Sequence, residues 1–375
     1  MLVPAKPFVD IQAILAYSGF SQNSIWGDKT HYFSSGSQAL QTAIDILCIP
    51  SDSIVVLPAF ICRSVPDLLA RRGFKLHYID SSFDSSMPVA EDLALACYST
   101  KARVLYFVDY FGFLPDRRKW LSEQARDAGC FVIEDRCHSA LTQPNDEVAD
   151  AVVYSIRKII PCPDGGALRL ADSRLPSGPC RSFPISHDVS FFFRRVVEQL
   201  ICKLGWPNIY SSSIDMLRHN KIMPKQYEAA DFGGSSLNNQ RSFKPSWLLS
   251  RQINNAKYLA SISERRIKNY RLLLKKIIEL GLTPLFPVLP PDVVPQVFPV
   301  KDSSVSLVNF LRAHGIGATH WPDVELPLAV SAFPERYPNA CCLNREVACL
   351  PVHQSISDHH IDLMMNLISK WKNNI

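Results

Sequence analysis

The stretch FVIEDRCHSA (131–140), followed by AVVYSIRK (151–158), decides the fold. Each begins as a short β-rich apolar run and ends on charged or nucleophilic side chains: Glu134, Asp135 and His138 in one, Ser155 and Lys158 in the other. Runs this uniformly apolar read as strands buried on both faces, delivering polar groups at their C-terminal ends. Outward from them, IVVLPAF (54–60), KLHYID (75–80) and VLYFVDY (104–110) have the same composition. Between these runs, SQALQTAIDIL (37–47) places Leu40, Ala43, Ile44 and Leu47 near a 3.6-residue period. DRRKWLSEQARDAG (116–129) does the same with Trp120, Leu121, Ala125 and Ala128. The alternation from about residue 34 to 172 predicts an α/β fold with a mostly parallel central sheet covered by helices.

Beyond it, Pro- and Ser-rich sequence over 173–236 surrounds one predicted helix, SFFFRRVVEQLICKLG (190–205). Its stripe of Phe193, Val197, Leu200, Ile201 and Leu204 reads as core or subunit packing in preference to membrane-surface docking. A long helical stretch from Trp247 toward Leu280 carries Ile253, Ala256, Leu259, Ile267, Tyr270 and Leu274 inward, its Lys and Arg forming a solvated face. After the Pro-rich TPLFPVLPPDVVP (283–295), helices are expected at SLVNFLRAHG (306–315) and DHHIDLMMNLISKWK (358–372). The division is a large domain over 1–245, with 173–236 divergent, and a linking helix plus small C-terminal α/β domain over 246–375.

Composition narrows the function. Of 375 residues 47% are apolar and 20% charged, which excludes a disordered chain. A net charge of +5, spread evenly, gives no footprint for nucleic acid, so a small-molecule partner is expected. The 11 cysteines form no CxxC pair and no metal-ligand spacing, and are read as reduced. The N-terminal MLVPAKPFVDIQ is not a secretory signal and no apolar run approaches the ~20 residues of a membrane span, so a cytoplasmic location is expected.

Three features sit where ligands bind in open α/β sheets. Ser34-Ser35-Gly36-Ser37-Gln38 opens a helix, and free amides at a helix N-terminus attract a phosphate, although Ser and Gly are also ordinary N-caps. Asp135 ends a buried strand, where a carboxylate needs a cation or strong donors; His138 follows about one helical turn later. Lys158 follows a strand and precedes Asp164-Gly165-Gly166; in an apolar setting such an amine has its basicity lowered, the condition for forming an imine with a carbonyl.

Together these features resemble the fold type I pyridoxal-phosphate enzymes, and within them the DegT/DnrJ/EryC1/StrS sugar aminotransferases. The matching stretches are FSSGSQAL, IVVLPAF, FVIEDRCHSA, SIRKIIPCPDGGA, LNNQRSF (237–243) and CLPVHQSISDHHID (349–362). The resemblance implies that Lys158 is the catalytic residue, covalently holding pyridoxal 5'-phosphate and then moving a proton as general base and acid. Asp135 would pair with the ring nitrogen. Gly36, Ser37, Gln38 and Ser155 would cradle the phosphate. His138 falls where the family usually has Gln, beside the cofactor ring. Asn239 would reach the neighbouring subunit's site, making the active unit a homodimer, and Arg241, His320 and Trp321 are the candidate substrate contacts.

The departures are His138 for Gln, a titratable ring for an amide; Ser155 three residues before Lys158 rather than five; and Cys62 where an aromatic residue usually stacks on the cofactor, with Phe60 as its substitute. The resemblance implies transfer of an amino group, from glutamate, to the keto group of a nucleotide-linked sugar. The open alternatives are a keto acid or natural-product intermediate as acceptor, and a catalytically silent cofactor-binding relative.

Overall fold

The computed structural model describes residues 2–15, 26, 30–143, 146–171, 181–204, 243–322 and 325–374. In chain order its elements are α1 (Ile11–Leu15), β1 (Thr30–Phe33), α2 (Gly36–Ile46), β2 (Ile54–Pro58), α3 (Ser64–Arg71), β3 (Lys75–Ile79), α4 (Ala90–Thr100), β4 (Val104–Val108), α5 (Arg118–Asp127), β5 (Phe131–Asp135), β6 (Ala151–Ser155), β7 (Gly166–Leu170), β8 (Arg181–Ser182) and α6 (Ile185–Leu204). There follow β9 (Phe243–Lys244), α7 (Trp247–Ile253), α8 (Ala256–Glu279), β10 (Val297–Lys301), α9 (Leu307–Ala313), α10 (Leu328–Ser331), α11 (Pro338–Glu346), β11 (Val347–Pro351) and α12 (Asp358–Lys372).

Nine strands form one sheet in the order β3-β2-β4-β5-β6-β7-β1-β9-β8. The β3, β2, β4, β5 and β6 run is parallel, and β7 lies antiparallel to both β6 and β1. The parallel sheet read from the apolar runs is therefore present, and β4 and β6 are buried along their whole length. β3 alternates exposure because it is an edge strand. β10 and β11 make a separate antiparallel pair. One apolar cluster runs without a break from Val55 and Ile133 under the main sheet to Leu350, Ile361 and Ile368 at the C-terminal end. On the other face, Leu105, Val132 and Val152 pack against Leu93, Leu121 and Ile262.

Three expectations change. The helix predicted from Trp247 to Leu280 is two helices, because Asn255 caps the second by accepting from the Tyr258 amide at 3.0 Å. The face of α8 is not purely apolar: Arg266, read as solvated, is buried, and its guanidinium donates to the carbonyls of Ile159, Pro295 and Gln296 at 3.0–3.2 Å. Ala256, read as inward, is exposed. The stripe of α6 also turns outward: Phe193, Val197, Leu200 and Leu204 are each more than half exposed, while Asp188 and Cys202 are buried. Asp188 accepts the amides of Trp247 and Leu248, so α6 is tied to α7 through this carboxylate rather than through that stripe. Among the described residues, no helix is long and apolar enough to cross a membrane.

The topology puts Phe33, Pro58, Val108, Asp135 and Ser155 at one end of the sheet, together with the start of β7 at Gly166. The segments of Gly36–Gln38, Asp135–His138 and Ser155–Lys158 all lie at that end.

Candidate active site

Asp135 and Glu134, adjacent on β5, point to opposite faces. Glu134 is fully buried and receives both hydrogen bonds of Arg118 Nη2, at 2.9 and 3.1 Å, with Arg136 Nε 3.1 Å away. It is a buried ion-pair anchor. Asp135 faces the site end, 6% exposed. Its Oδ1 accepts the Cys137 amide at 2.8 Å and its Oδ2 the Tyr106 hydroxyl at 2.6 Å.

His138 follows in the turn after β5, 1% exposed. The Phe111 amide donates to its Nδ1 at 3.4 Å, and Phe111 stacks on its ring at 5.9 Å. Burial, reinforced by the positive charge of Lys158, holds this imidazole well below its ordinary range. The titratable ring expected in place of Gln is thus a permanently neutral one near pH 7. Trp321 meets it edge-on at 5.0 Å and also packs on Phe60, Tyr110 and Phe111 at 4.7, 5.4 and 5.8 Å.

Lys158 ends the one-turn 3₁₀ helix Ile156–Lys158 that follows β6, and its side chain is exposed rather than enclosed by apolar groups as the sequence suggested. Its charge lowers the proton affinity of both Cys137 and His138, which places it with them. The turn is held from below: the Ile159 carbonyl accepts from Arg266 Nη2 at 3.2 Å and from Gln354 Nε2 at 3.1 Å.

The anion cradle is α2. Ser35 caps it by accepting the Gln38 amide, and the Gln38 side chain turns back to accept from the Ser34 amide and hydroxyl at 3.1 and 2.9 Å. Gln38 is therefore engaged in fixing the turn. The amides of Gly36 and Ser37 have no partner among the described residues. Gly36 lies against the next two site segments: a Cβ there would sit 3.3 Å from Cys137 Sγ and 3.6 Å from Ser155 Cβ. Helix-start amides, a strand-end carboxylate, a neutral imidazole and a lysine therefore meet in one place. This donor set fits pyridoxal phosphate: amides for a dianion, an anion for the ring nitrogen and an amine for the aldehyde.

Gly36, Ser37, Asp135, His138, Ser155, Lys158 and Trp321 come together. His320, the other half of the THWP pair, instead bonds through Nδ1 to the Val347 carbonyl at 3.2 Å. Phe60 is fully buried beneath Tyr110 and Trp321, so it backs the site wall. Asn239 and Arg241 lie outside the described residues. The sequence reading missed Tyr106, Tyr110 and Phe111. The available signal was VLYFVDYFG (104–112), a strand with unusually many aromatic and hydroxyl-bearing residues beside the strand of Asp135.

Residues 29–182 match the model of the DegT/DnrJ/EryC1/StrS aminotransferase family. No curated protein matches the chain. Among solved structures it resembles the aminotransferase TlmJ from Streptoalloteichus hindustanus, with 17% identity, TM-score 0.67, and 98% of this chain and 92% of that one covered. The PLP-form of the putative sugar aminotransferase Spr1654 from Streptococcus pneumoniae aligns at TM-score 0.71 with 14% identity, over 100% and 99% of the two chains. Helicobacter pylori PseC, an aminotransferase involved in pseudoaminic acid biosynthesis, aligns at 0.67 with 12% identity over the full length of both. At these identities the likeness establishes the fold these structures share, and within it residues 29–182 are the part that matches the DegT/DnrJ/EryC1/StrS aminotransferase family model.

Proposed function

We propose that this chain is a pyridoxal-phosphate-dependent aminotransferase that passes an amino group from glutamate to the keto group of a nucleotide-linked sugar, working as a homodimer. The observation that carries the reading is the convergence of Lys158, Asp135, His138 and the free amides of α2 at one end of the sheet. Bound pyridoxal phosphate supplies a conjugated ring that accepts the electron pair released when the amino donor loses its α-proton. The Gly36 and Ser37 amides bind its phosphate. Asp135 holds the ring-nitrogen proton in place by its negative charge. The Lys158 amine would take the proton from the donor's α-carbon and return it across the intervening nitrogen to the carbon of the cofactor's aldehyde, a 1,3-shift in which base and acid are the same nitrogen. His138, neutral and covered by Trp321 and Phe111, offers a fixed hydrogen-bonding nitrogen and keeps water from that side.

Structural neighbours support the acceptor class: Spr1654 is described as a putative sugar aminotransferase and PseC as an aminotransferase involved in the biosynthesis of pseudoaminic acid. The test is the absorption spectrum of purified protein loaded with pyridoxal phosphate. The expected result is a band near roughly 410–430 nm that glutamate moves to about 330 nm, and that Lys158→Ala lacks. Release of the amino group to a keto-sugar nucleotide, and to no simple keto acid other than 2-oxoglutarate, the product of the glutamate half-reaction, completes the test. A colourless wild-type protein, or one indifferent to every amino donor, overturns the reading.

A further inference from the structure

Tyr106 takes no part in the reading above, yet it makes a direct side-chain bond to the carboxylate at its centre. It lies on β4 two residues before Val108, the register partner of Asp135, so both side chains project from one face of the sheet. The tyrosine is 1% exposed, and its hydroxyl donates to Asp135 Oδ2 at 2.6 Å while the Cys137 amide donates to Oδ1 at 2.8 Å. One donor on each oxygen fixes the plane of the carboxylate. Other titratable groups face Asp135 from the neighbouring segments: Tyr110 after β4 and Cys137 after β5, with Lys158 after β6 facing Cys137. Tyr110 commits its hydroxyl to the Phe60 carbonyl. Among these side chains, Tyr106 alone supplies a proton to the carboxylate from an oxygen. Burial and the nearby carboxylate push its phenol well above the ordinary range, so it stays a donor across the physiological pH range.

We propose that Tyr106 is a positioning residue for the cofactor, holding Asp135 ionised and oriented so that it can pair with the protonated ring nitrogen of pyridoxal phosphate. The inference rests on the cofactor reading of the site. Its physical basis is that a buried carboxylate is driven to take up a proton, while hydrogen bonds to its charged form oppose that. A protonated Asp135 carries no charge to hold a pyridinium. The phenol proton stays on the phenol throughout, so no group is transferred.

The experiment titrates pyridoxal phosphate into cofactor-free protein across pH 5 to 9, followed by absorbance and by quenching of intrinsic fluorescence. It compares the wild type, Tyr106→Phe, Asp135→Asn and the double variant. Tyr106→Phe is expected to bind the cofactor as the wild type does at pH 8.5, but to lose it on acidification about one to two pH units earlier, the worth of one charge-assisted hydrogen bond. On the Asp135→Asn background the same change is expected to shift nothing. If the phenylalanine variant folds poorly, 3-fluorotyrosine at position 106 keeps the packing and strengthens the donor, and the acid limb should move down. Wild-type binding with an acid limb that neither replacement moves overturns the inference alone, as does an equal shift on the Asp135→Asn background. A wild-type protein that takes up no cofactor overturns the reading of the site, and this inference with it.

Discussion

At His138 the tautomer follows from a backbone contact. The Phe111 amide donates to Nδ1, so the ring proton sits on Nε2 and the neutral imidazole presents an N–H donor, as the side-chain amide of a glutamine can. Phe111 reaches this position with φ at 58°, in the left-handed region that side chains seldom occupy, within a segment where Gly112 has φ at 105°. His138→Gln is therefore expected to change cofactor affinity by less than about tenfold, the worth of about 1.4 kcal/mol. The pH profile of the glutamate half-reaction should be superimposable on the wild type between pH 6 and 9. His138→Ala removes the surface on which Trp321 and Phe111 pack and is expected to cost more than the glutamine variant. A wild-type ionisation near pH 6.5 that vanishes in His138→Gln would show that the ring titrates after all.

At the scale of elements, the cradle depends on how closely α2 approaches β7. A Cβ on Gly166 would stand 2.1 Å from the Ser35 carbonyl oxygen, and the obstructing atoms are backbone, unable to swing aside. Gly166→Ala must push the α2 N-terminus off the sheet. The expected result is a loss of about 1–3 kcal/mol, the usual cost of overpacking, together with weaker cofactor binding. Thermal denaturation and a cofactor titration measure the two effects, and unchanged cofactor affinity would detach the helix start from the site. The sequence made much of this element legible. FSSGSQAL carries the cap, the small residue and the apolar period locally, and α2 begins at Gly36, a little before the periodic run itself. The strand-end positions of Asp135 and Ser155 were legible for the same reason. The contact of Trp321 with His138 was not, because it joins segments from opposite halves of the chain. Periodicity also misplaced Arg266: a charged residue on a basic helix reads as solvated, and the carbonyls that satisfy it come from two distant segments, at Ile159 and at Pro295–Gln296. The α6 stripe lies outside the core of the chain, and 3.6-residue spacing shows that a helix has an apolar face but not whether the core or a second subunit meets it.

Across the whole molecule, the N-terminal arm straps the C-terminal segments. Val3 bridges to Ile316, with its amide on the Gly315 carbonyl at 2.9 Å and its carbonyl receiving the Gly317 amide at 2.7 Å. His353 Nε2 bonds the Pro4 carbonyl at 2.9 Å, while its Nδ1 is buried without a partner among the described residues. To donate to a carbonyl the ring must carry its proton on Nε2, and burial resists a second one, lowering its proton affinity from the ordinary 6.5 to about 3. Above pH 6.5 the ring is neutral whether the chain is folded or not, and contributes no pH dependence. Below it the unfolded chain takes up a proton that the folded chain refuses until about pH 3, so stability falls as pH falls, by up to about 1.4 kcal/mol per unit. Asp164 opposes this trend. Burial pushes it up to about 6 from an ordinary 3.8, so the folded chain keeps a proton there that the unfolded chain has lost, and stability rises on acidification through that window. Comparison of the wild type with His353→Gln isolates the histidine, because Asp164 acts equally in both and a glutamine amide still donates to Pro4. Urea midpoints at pH 7.5 and 4.5 are expected to show the glutamine variant gaining on the wild type by on the order of 2–3 kcal/mol as pH drops. A constant difference at the two pH values would mean that the strap is held by Val3 and Phe8 and that His353 carries no pH dependence.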